Sequence, residues 1–593
     1  MYIVGDNMLG TIVGIEEDRV LLKLNVNLTE MENIINLYVL LEDSKQRLVG
    51  EIEDIKDNIA YVKLLGTFNN DVFMFGISKK PSFSATTKLI SKEKVKNIIG
   101  MGDDSSKKYL YIGKSPIYDG IEIGAGINDF FSNHFAVFGS TGSGKSCSVA
   151  RIFQNLFESR ESIPYKATIL LFDAYGEYHS AFKDISAVSP EISFKNYTTN
   201  VNNDEEKIKI PLWLLTVDDI ALLLGAESAN DLPIIEKALK LVNVFARDEA
   251  DVIKSKNDIV ARAILDILVS GNSPAQIRDQ IFSVLSHYNT RDLNLETPIY
   301  QPGYTRPLKQ CLLIDATGKI REMELLTNFI SKFVKDDIEL SLPDGSFKYT
   351  LKDLYEAFEF ALISEGVLNS DKVFDDYNIL KVRLMSLLNG DYSKYFDCDY
   401  MTKEQFIKEI ISASNGRKAQ IINFNINYVD DRFAKNIVKV YSRIFFDFAK
   451  NLKRRASFPV HLVLEEAHRY VQNDNDINVI GYNIFDRITK EGRKYGVMLG
   501  LISQRPSELS TTAISQCSNF LIFKMLHPTD VAYIEQMVPN ITTEIINKIK
   551  LLSPGTCIAF GSAFKLPSLV KLDMPNPSPN SNSCDVSSIW FIN

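Results

Sequence analysis

The stretch that decides the fold is Phe135-Ala-Val-Phe-Gly-Ser-Thr-Gly-Ser-Gly-Lys-Ser146. Phe135–Phe138 is a short apolar run, the pattern of a parallel strand buried on both faces. It breaks into Gly139, Ser140, Thr141, Gly142, Ser143, Gly144, Lys145 and Ser146, which fit the phosphate-loop pattern GxxxxGK[ST] with no mismatch. The glycines let the backbone curl so that successive N–H groups point at phosphates. Lys145 is then placed to reach the β/γ-phosphates, the Ser146 hydroxyl to ligate Mg²⁺, and Cys147 completes the nucleotide-binding stretch. Downstream, Val149, Ile152, Phe153, Leu156 and Phe157 fall on one face of a helix. A strand before and a helix after are the context such a loop requires, so the sequence predicts a nucleoside triphosphate site.

At 593 residues the chain is too long for one core, and two to four domains are expected. Its 45% hydrophobic and 24% charged content is that of an ordinary globular protein. No apolar run reaches the roughly 20 residues that a membrane helix needs, and the N-terminus carries no signal-peptide pattern. The six cysteines are scattered, with no CxxC pair, which argues against a disulfide framework or a zinc site and for a reducing, cytoplasmic setting. Net charge is −9, which speaks against a surface that coats nucleic acid broadly but leaves room for a ring with a basic lumen.

Residues 1–85 read as a small β-barrel. In Val20–Leu28 every second residue is apolar, and similar runs recur at Gly10–Ile15, Leu37–Leu41, Val49–Ile55, Ala60–Leu65 and Val72–Ile77. The polar stretch 81–110 looks like a connection. Residues 86–204 hold the phosphate loop and a second strand, Ala167–Asp173. Residues 205–415 change to long helical patterns, with one possible strand at Gln310–Asp315. After Ala419 the α/β alternation resumes through 416–566, which suggests one core split by a helical insertion. Its strands fall at Gln420–Ile426, Pro459–Leu464, Val497–Ile502, Asn519–Met525 and Thr556–Gly561, and a helix covers Asn478–Lys490. In the C-terminal extension 567–593, Pro575–Ser583 is irregular and Ser588–Ile592 is an apolar plug on a tether that can dock on a neighbour.

Phosphoryl transfer to water needs charge neutralisation, a metal ligand set and a group orienting the water. The strand ending in Glu465-Glu466 supplies carboxylates. Consecutive strand residues point to opposite faces, so Glu466 is assigned to the water and Glu465 to Mg²⁺ through its water shell. Asp173 and Glu177, at the end of a neighbouring strand, support them. Gln504 follows the next strand and is placed to sense the γ-phosphate. Arg493 and, as a weaker candidate, Arg505 are arginine fingers that would act in trans on a neighbouring subunit, and the sequence does not choose between them.

With these residues in hand, the chain resembles the HerA family of hexameric DNA-translocating ATPases, in the FtsK–HerA branch of RecA-like motors. The resemblance rests on Gly139–Ser146, Asp173-Ala-Tyr-Gly-Glu-Tyr178, Leu464-Glu-Glu-Ala-His-Arg469, Glu491-Gly-Arg-Lys-Tyr-Gly496 and Ser503-Gln-Arg-Pro-Ser507, in that order. Glu465-Glu466 stands where such motors often have Asp before Glu, a form that the HerA branch tolerates. The resemblance implies an α/β RecA-like P-loop core, an N-terminal HAS-barrel-like module, a mainly helical insertion and a subunit-bracing C-terminal extension. It also implies a homohexamer that hydrolyses ATP with Mg²⁺ and threads double-stranded DNA. The implied partner is an effector enzyme: a NurA-like nuclease in repair, or a sirtuin-like NAD-hydrolase or other defence nuclease in anti-phage systems. An alternative of a different class is a nucleotide-regulated ring scaffold that activates an effector with little or no DNA movement.

Overall fold

The computed structural model describes residues 8–26, 28, 33–69, 72–101, 108–158, 163–247, 250–335, 347–364, 371–538, 541, 543–581 and 586–591. Strand Arg19–Leu24 buries Val20, Leu22 and Leu24 and leaves the residues between them partly or fully solvated, as period-two alternation requires. As a strand it stops at Leu24, short of the predicted Leu28. Among the described residues, seven antiparallel strands join here in the order Gly10–Ile15, Arg19–Leu24, Ile59–Asn69, Arg47–Lys56, Tyr38–Glu42 and Thr86–Leu89, with Val72–Phe75 hydrogen-bonded to Ile59–Asn69. The sheet curls until its first and last strands meet. The Leu9 N–H donates to Thr87 O at 2.7 Å, and the Thr87 hydroxyl donates to Gly10 O at 2.6 Å. Strand Thr86–Leu89 lies within the 81–110 stretch that reads as a mere connection, and helix Lys92–Ile99 follows it. Four residues of mixed polarity are too few for alternation to show.

The second sheet carries the phosphate loop. Among the described residues it has twelve strands. Eight run parallel, in the spatial order Glu206–Lys207, Phe194–Thr198, Ile421–Asn425, Ile169–Asp173, Val460–Leu464, Val497–Ser503, His134–Phe138 and Cys517–Phe523. Four antiparallel strands extend it: Thr556–Gly561, Ser568–Lys571, Tyr109–Lys114 and Glu122–Gly126. The central strands are buried along their whole length, which is why they read as unbroken apolar runs. Phe194–Thr198 and Ile421–Asn425 pair residue for residue, although the helical segment separates them in sequence.

That segment packs its helices on one another and on the helix Asp431–Lys450. Arg443 of that helix is buried and forms an ion pair with Asp219 at 2.6 Å, tying the segment to the core. Gln310–Asp315 is not a strand. Leu308–Cys311 is a helical turn, and Ile314 makes only an isolated bridge to Ile320, so a run of four apolar residues was not enough to tell strand from helix. Within the stretch that reads as helical, Met323–Ile330 is a helix followed by a 3-10 turn to Phe333, and 336–341 lie outside the described residues. The helix placed at Asn478–Lys490 is two, Asp476–Ile480 and Ile484–Tyr495, parted at Gly481 in the left-handed region (φ +83°). Among the described residues no helix is long and apolar enough to cross a membrane. The C-terminal helix Val586–Trp590 exposes Ile589 and Trp590, as Phe591 after it is exposed, while Ile592 of the predicted plug lies outside the described residues.

Two buried histidines stand at the feet of the central strands. His134 Nδ1 accepts from Leu499 N at 2.9 Å, so its Nε2–H donates to Thr489 O at 3.1 Å. His461 Nε2 donates to Phe131 O at 2.6 Å. Burial lowers each imidazole to about 4. A folded-state value below the unfolded one means that unfolded chain binds the proton first, so stability is intact above about pH 6.5 and falls as pH drops towards 4. Urea titrations at pH 7 and pH 5 should show a loss of about 2 kcal/mol for each histidine, and His461→Gln should make that loss smaller.

Candidate active site

Parallel pairing puts the carboxyl ends of four neighbouring strands at one edge of the sheet, so whatever follows each strand meets there. From His134–Phe138 comes the phosphate loop, from Ile169–Asp173 the turn carrying Glu177, from Val460–Leu464 the pair Glu465-Glu466, and from Val497–Ser503 the residue Gln504.

The loop opens onto helix Lys145–Glu158, whose free N–H groups and dipole favour an anion. Gly142 and Gly144 are in the left-handed region, with φ +73° and +93°. A Cβ on Gly144 would also stand 2.9 Å from Gly555 N, whose N–H donates to Ser143 O at 2.9 Å. The turn before strand Thr556–Gly561 therefore braces the loop from behind, a contact that no local pattern announces. Lys145 Nζ donates to Ser140 O at 3.1 Å, folded back over the loop. Burial lowers its ammonium, while the charges of Glu466, Glu465 and Glu177 act to raise it, which places all three carboxylates around this lysine.

Asp173 shapes the turn. Its Oδ1 accepts from Glu177 N and its Oδ2 from Tyr178 N, both at 3.0 Å, and Asn423 Nδ2 donates to Oδ2 at 3.3 Å. Glu177 is thereby held beside the Ser146 hydroxyl, and burial pushes its carboxyl up. Glu465 is buried, and burial with the nearby charges of Asp173 and Glu177 pushes it well above the usual carboxylate range. Glu466 leaves the strand at φ +48°, a left-handed conformation costly for a residue with a side chain. Its Oε1 accepts from Gln504 Nε2 at 3.1 Å, and its Oε2 stands 3.2 Å from His468 Nδ1. Thr141 Oγ1 donates to Gln504 Oε1 at 2.6 Å. The two glutamates thus face different neighbours, although both lie beyond the strand, which ends at Leu464, and alternation does not set their directions.

Buried oxygens of Ser143, Glu177, Glu465 and Glu466 have no hydrogen-bond partner. Orphaned acceptors beside a lysine and a helix N-terminus fit a metal–nucleotide. Among the described residues no cluster of His, Cys, Asp or Glu forms a complete protein cage for a metal, which suits Mg²⁺, an ion that keeps waters and leans on phosphate oxygens. The Ser146 hydroxyl, beside Glu177, could hold such an ion, with Glu465 reaching it through a water.

The finger candidates lie apart. Arg505 is on the phosphate-loop side and pairs with Glu508 at 3.0 Å. Arg493 ends helix Ile484–Tyr495 at the opposite ends of the strands, where its charge acts on His134. It is exposed, its side chain has no hydrogen bond or ion pair among the described residues, and it lines a cavity of about 460 Å³ with Lys565 and Phe564.

The C-terminal stretch 576–581 is irregular, as its composition predicts, yet it is fastened to the site. Asn576 N donates to Gln154 Oε1 at 3.0 Å and Gln154 Nε2 to Pro577 O at 2.8 Å, both on the phosphate-loop helix. Asn580 N donates to Glu177 O at 2.8 Å, and Ser581 Oγ lies 3.8 Å from Cys147 Sγ. Sequence reasoning missed this strap, the Gly555 brace and His468, because each joins residues far apart in the chain or of ordinary type.

Residues 110–333 match the family model described as Helicase HerA, central domain. The DNA double-strand break repair helicase HerA of Saccharolobus solfataricus is 24% identical over 578 residues, covering 95% of this chain and 88% of that protein. The probable DNA double-strand break repair helicase HerA of Methanocaldococcus jannaschii is 23% identical over 526 residues, covering 88% and 86%. Among solved structures, VirB4 of Thermoanaerobacter pseudethanolicus superposes with a TM-score of 0.43 at 14% identity, covering 80% of this chain and 98% of that one. Replacing Gly144 by Ala should weaken binding of an ATP analogue at least tenfold, about 1.4 kcal/mol, without changing the circular dichroism, as isothermal titration would show.

Proposed function

We propose that this chain, which matches the HerA central-domain model over residues 110–333 and is similar to HerA helicases over most of its length, is an ATP-hydrolysing motor that moves double-stranded DNA. The observation that carries this reading is the convergence of Glu177, Glu465 and Glu466 on Lys145 of the phosphate loop, with Gln504 bridging from the loop to Glu466. Mg²⁺, when bound with the nucleotide, supplies charge neutralisation on the phosphates. Lys145 exchanges its Ser140 contact for phosphate oxygens. Glu466 orients the attacking water and takes its proton, and Gln504 senses the γ-phosphate.

The working form is a homohexamer, with the curled N-terminal sheet as its HAS-barrel-like module. Arg493, exposed, unpaired and far from its own phosphate loop, supports this: it reaches the neighbour's γ-phosphate as the trans finger. The paired Arg505 is the weaker candidate. The motor works in the cytoplasm with an effector enzyme, a nuclease or an NAD-hydrolase, in DNA processing or phage defence. The net charge of −9 favours a second reading, a ring scaffold whose nucleotide state activates the effector while little DNA moves.

Wild-type hydrolysis should rise with double-stranded DNA, and Lys145→Ala and Glu466→Gln should each lower kcat by at least 100-fold, about 2.7 kcal/mol. Hydrolysis indifferent to DNA would favour the scaffold. Arg493→Ala subunits mixed with Lys145→Ala subunits should recover part of the activity, because some interfaces then join an intact loop to an intact arginine. No recovery would remove Arg493 from the shared site.

A further inference from the structure

Glu466 presents a positioning problem. It leaves its strand in a left-handed conformation, so the regular backbone of the strand does not set the direction of its side chain, and contacts at the carboxylate must do so. Oε2 has no hydrogen-bond partner: His468 Nδ1 is nearby at 3.2 Å, but that nitrogen is engaged with Ser503 Oγ at 3.1 Å. The other accepts from Gln504 Nε2. A primary amide turns its oxygen or its nitrogen to a neighbour with almost equal ease, and only its partners decide between the two. An ionised carboxylate accepts and never donates, so the productive orientation has Nε2 towards Glu466 and leaves Oε1 in need of a donor. Thr141 Oγ1, at 2.6 Å, is that donor.

Thr141 sits at a free position of the phosphate-loop pattern, where backbone N–H groups cradle the phosphates and no side chain is demanded. We propose that Thr141 is a positioning residue: its hydroxyl anchors the Gln504 side chain, whose amide the carboxylate has already oriented, and through it holds Glu466 for the water. Thr141 thus joins, through one side chain, the loop that binds the triphosphate to the carboxylate that orients the attacking water, so displacement of the loop is felt at Glu466. With the hydroxyl removed, Oε1 loses its donor and the Gln504 side chain is free to swing away from the carboxylate, which then loses its Nε2 contact.

This inference rests on the ATPase reading above. Its test is steady-state hydrolysis together with the dissociation constant of a non-hydrolysable ATP analogue. Thr141→Val, which keeps the shape and removes the hydroxyl, should lower kcat about tenfold, 1.4 kcal/mol, with the analogue's dissociation constant within twofold of wild type. Thr141→Ser should restore most of kcat. In a Gln504→Ala background, Thr141→Val should cost nothing more, since both act through one contact. Undiminished turnover in Thr141→Val, weakened analogue binding, or losses that multiply in the double variant would each overturn the proposal while leaving the ATPase reading intact. A wild type that hydrolyses no ATP would overturn both.

Discussion

The constraint on which the rest of the structure depends is electrostatic: several carboxylates must be brought into a dry site around a single lysine. Burial disfavours a charged carboxyl, and like charges add to that cost as water is excluded; the raised carboxyls of Glu177, Glu465 and Glu466 express chiefly that burial. An assembly of this kind is stable only if rigid elements impose it and a multiply charged ligand relieves it. The parallel sheet does the first. Its four central strands are mostly apolar and lead into polar residues where they end, so the cost of collecting acids falls at one edge and is carried by the burial of everything behind them. In the function proposed above, a magnesium nucleotide would do the second.

The same edge explains how the remainder of the chain is disposed. The helical segment enters and leaves through strands Phe194–Thr198 and Ile421–Asn425, beside the catalytic strands rather than between them, so a large helical body is accommodated without altering the spacing of the loop, the glutamates and Gln504. The phosphate-loop helix is held on its outer side by the strap 576–581, and the loop itself by Gly555.

What could be read from the sequence was what is local. The loop, the strands that end in Asp173, Glu465 and Gln504, and the split in the core all announce themselves through apolar runs that stop at polar residues. Thr86–Leu89 was not legible, because a four-residue edge strand has too little periodicity. Gln310–Asp315 was misread because a short apolar run suits either backbone geometry. The Thr141–Gln504–Glu466 chain joins residues more than 300 positions apart, and no spacing rule could have linked them, although each residue was a candidate separately. Gly555 and the strap carried no sign at all beyond glycine and proline.

The pairing of Ile169–Asp173 with Ile421–Asn425 has a consequence for how the protein is made. When the phosphate loop and the Asp173 strand have emerged from the ribosome, the neighbour that completes the sheet on one side is still about 250 residues away in the chain, and those on the other side, Val460–Leu464 and Val497–Ser503, are later still. At roughly 5–20 residues per second the Asp173 strand spends on the order of 10–50 s with unsatisfied backbone groups and bare apolar faces. The helical segment, rich in local contacts that form quickly, is synthesised during that interval. Nascent chains of this protein therefore carry a fast-folding middle and a waiting core, and their yield in the cell depends on how well chaperones shield that half-built sheet.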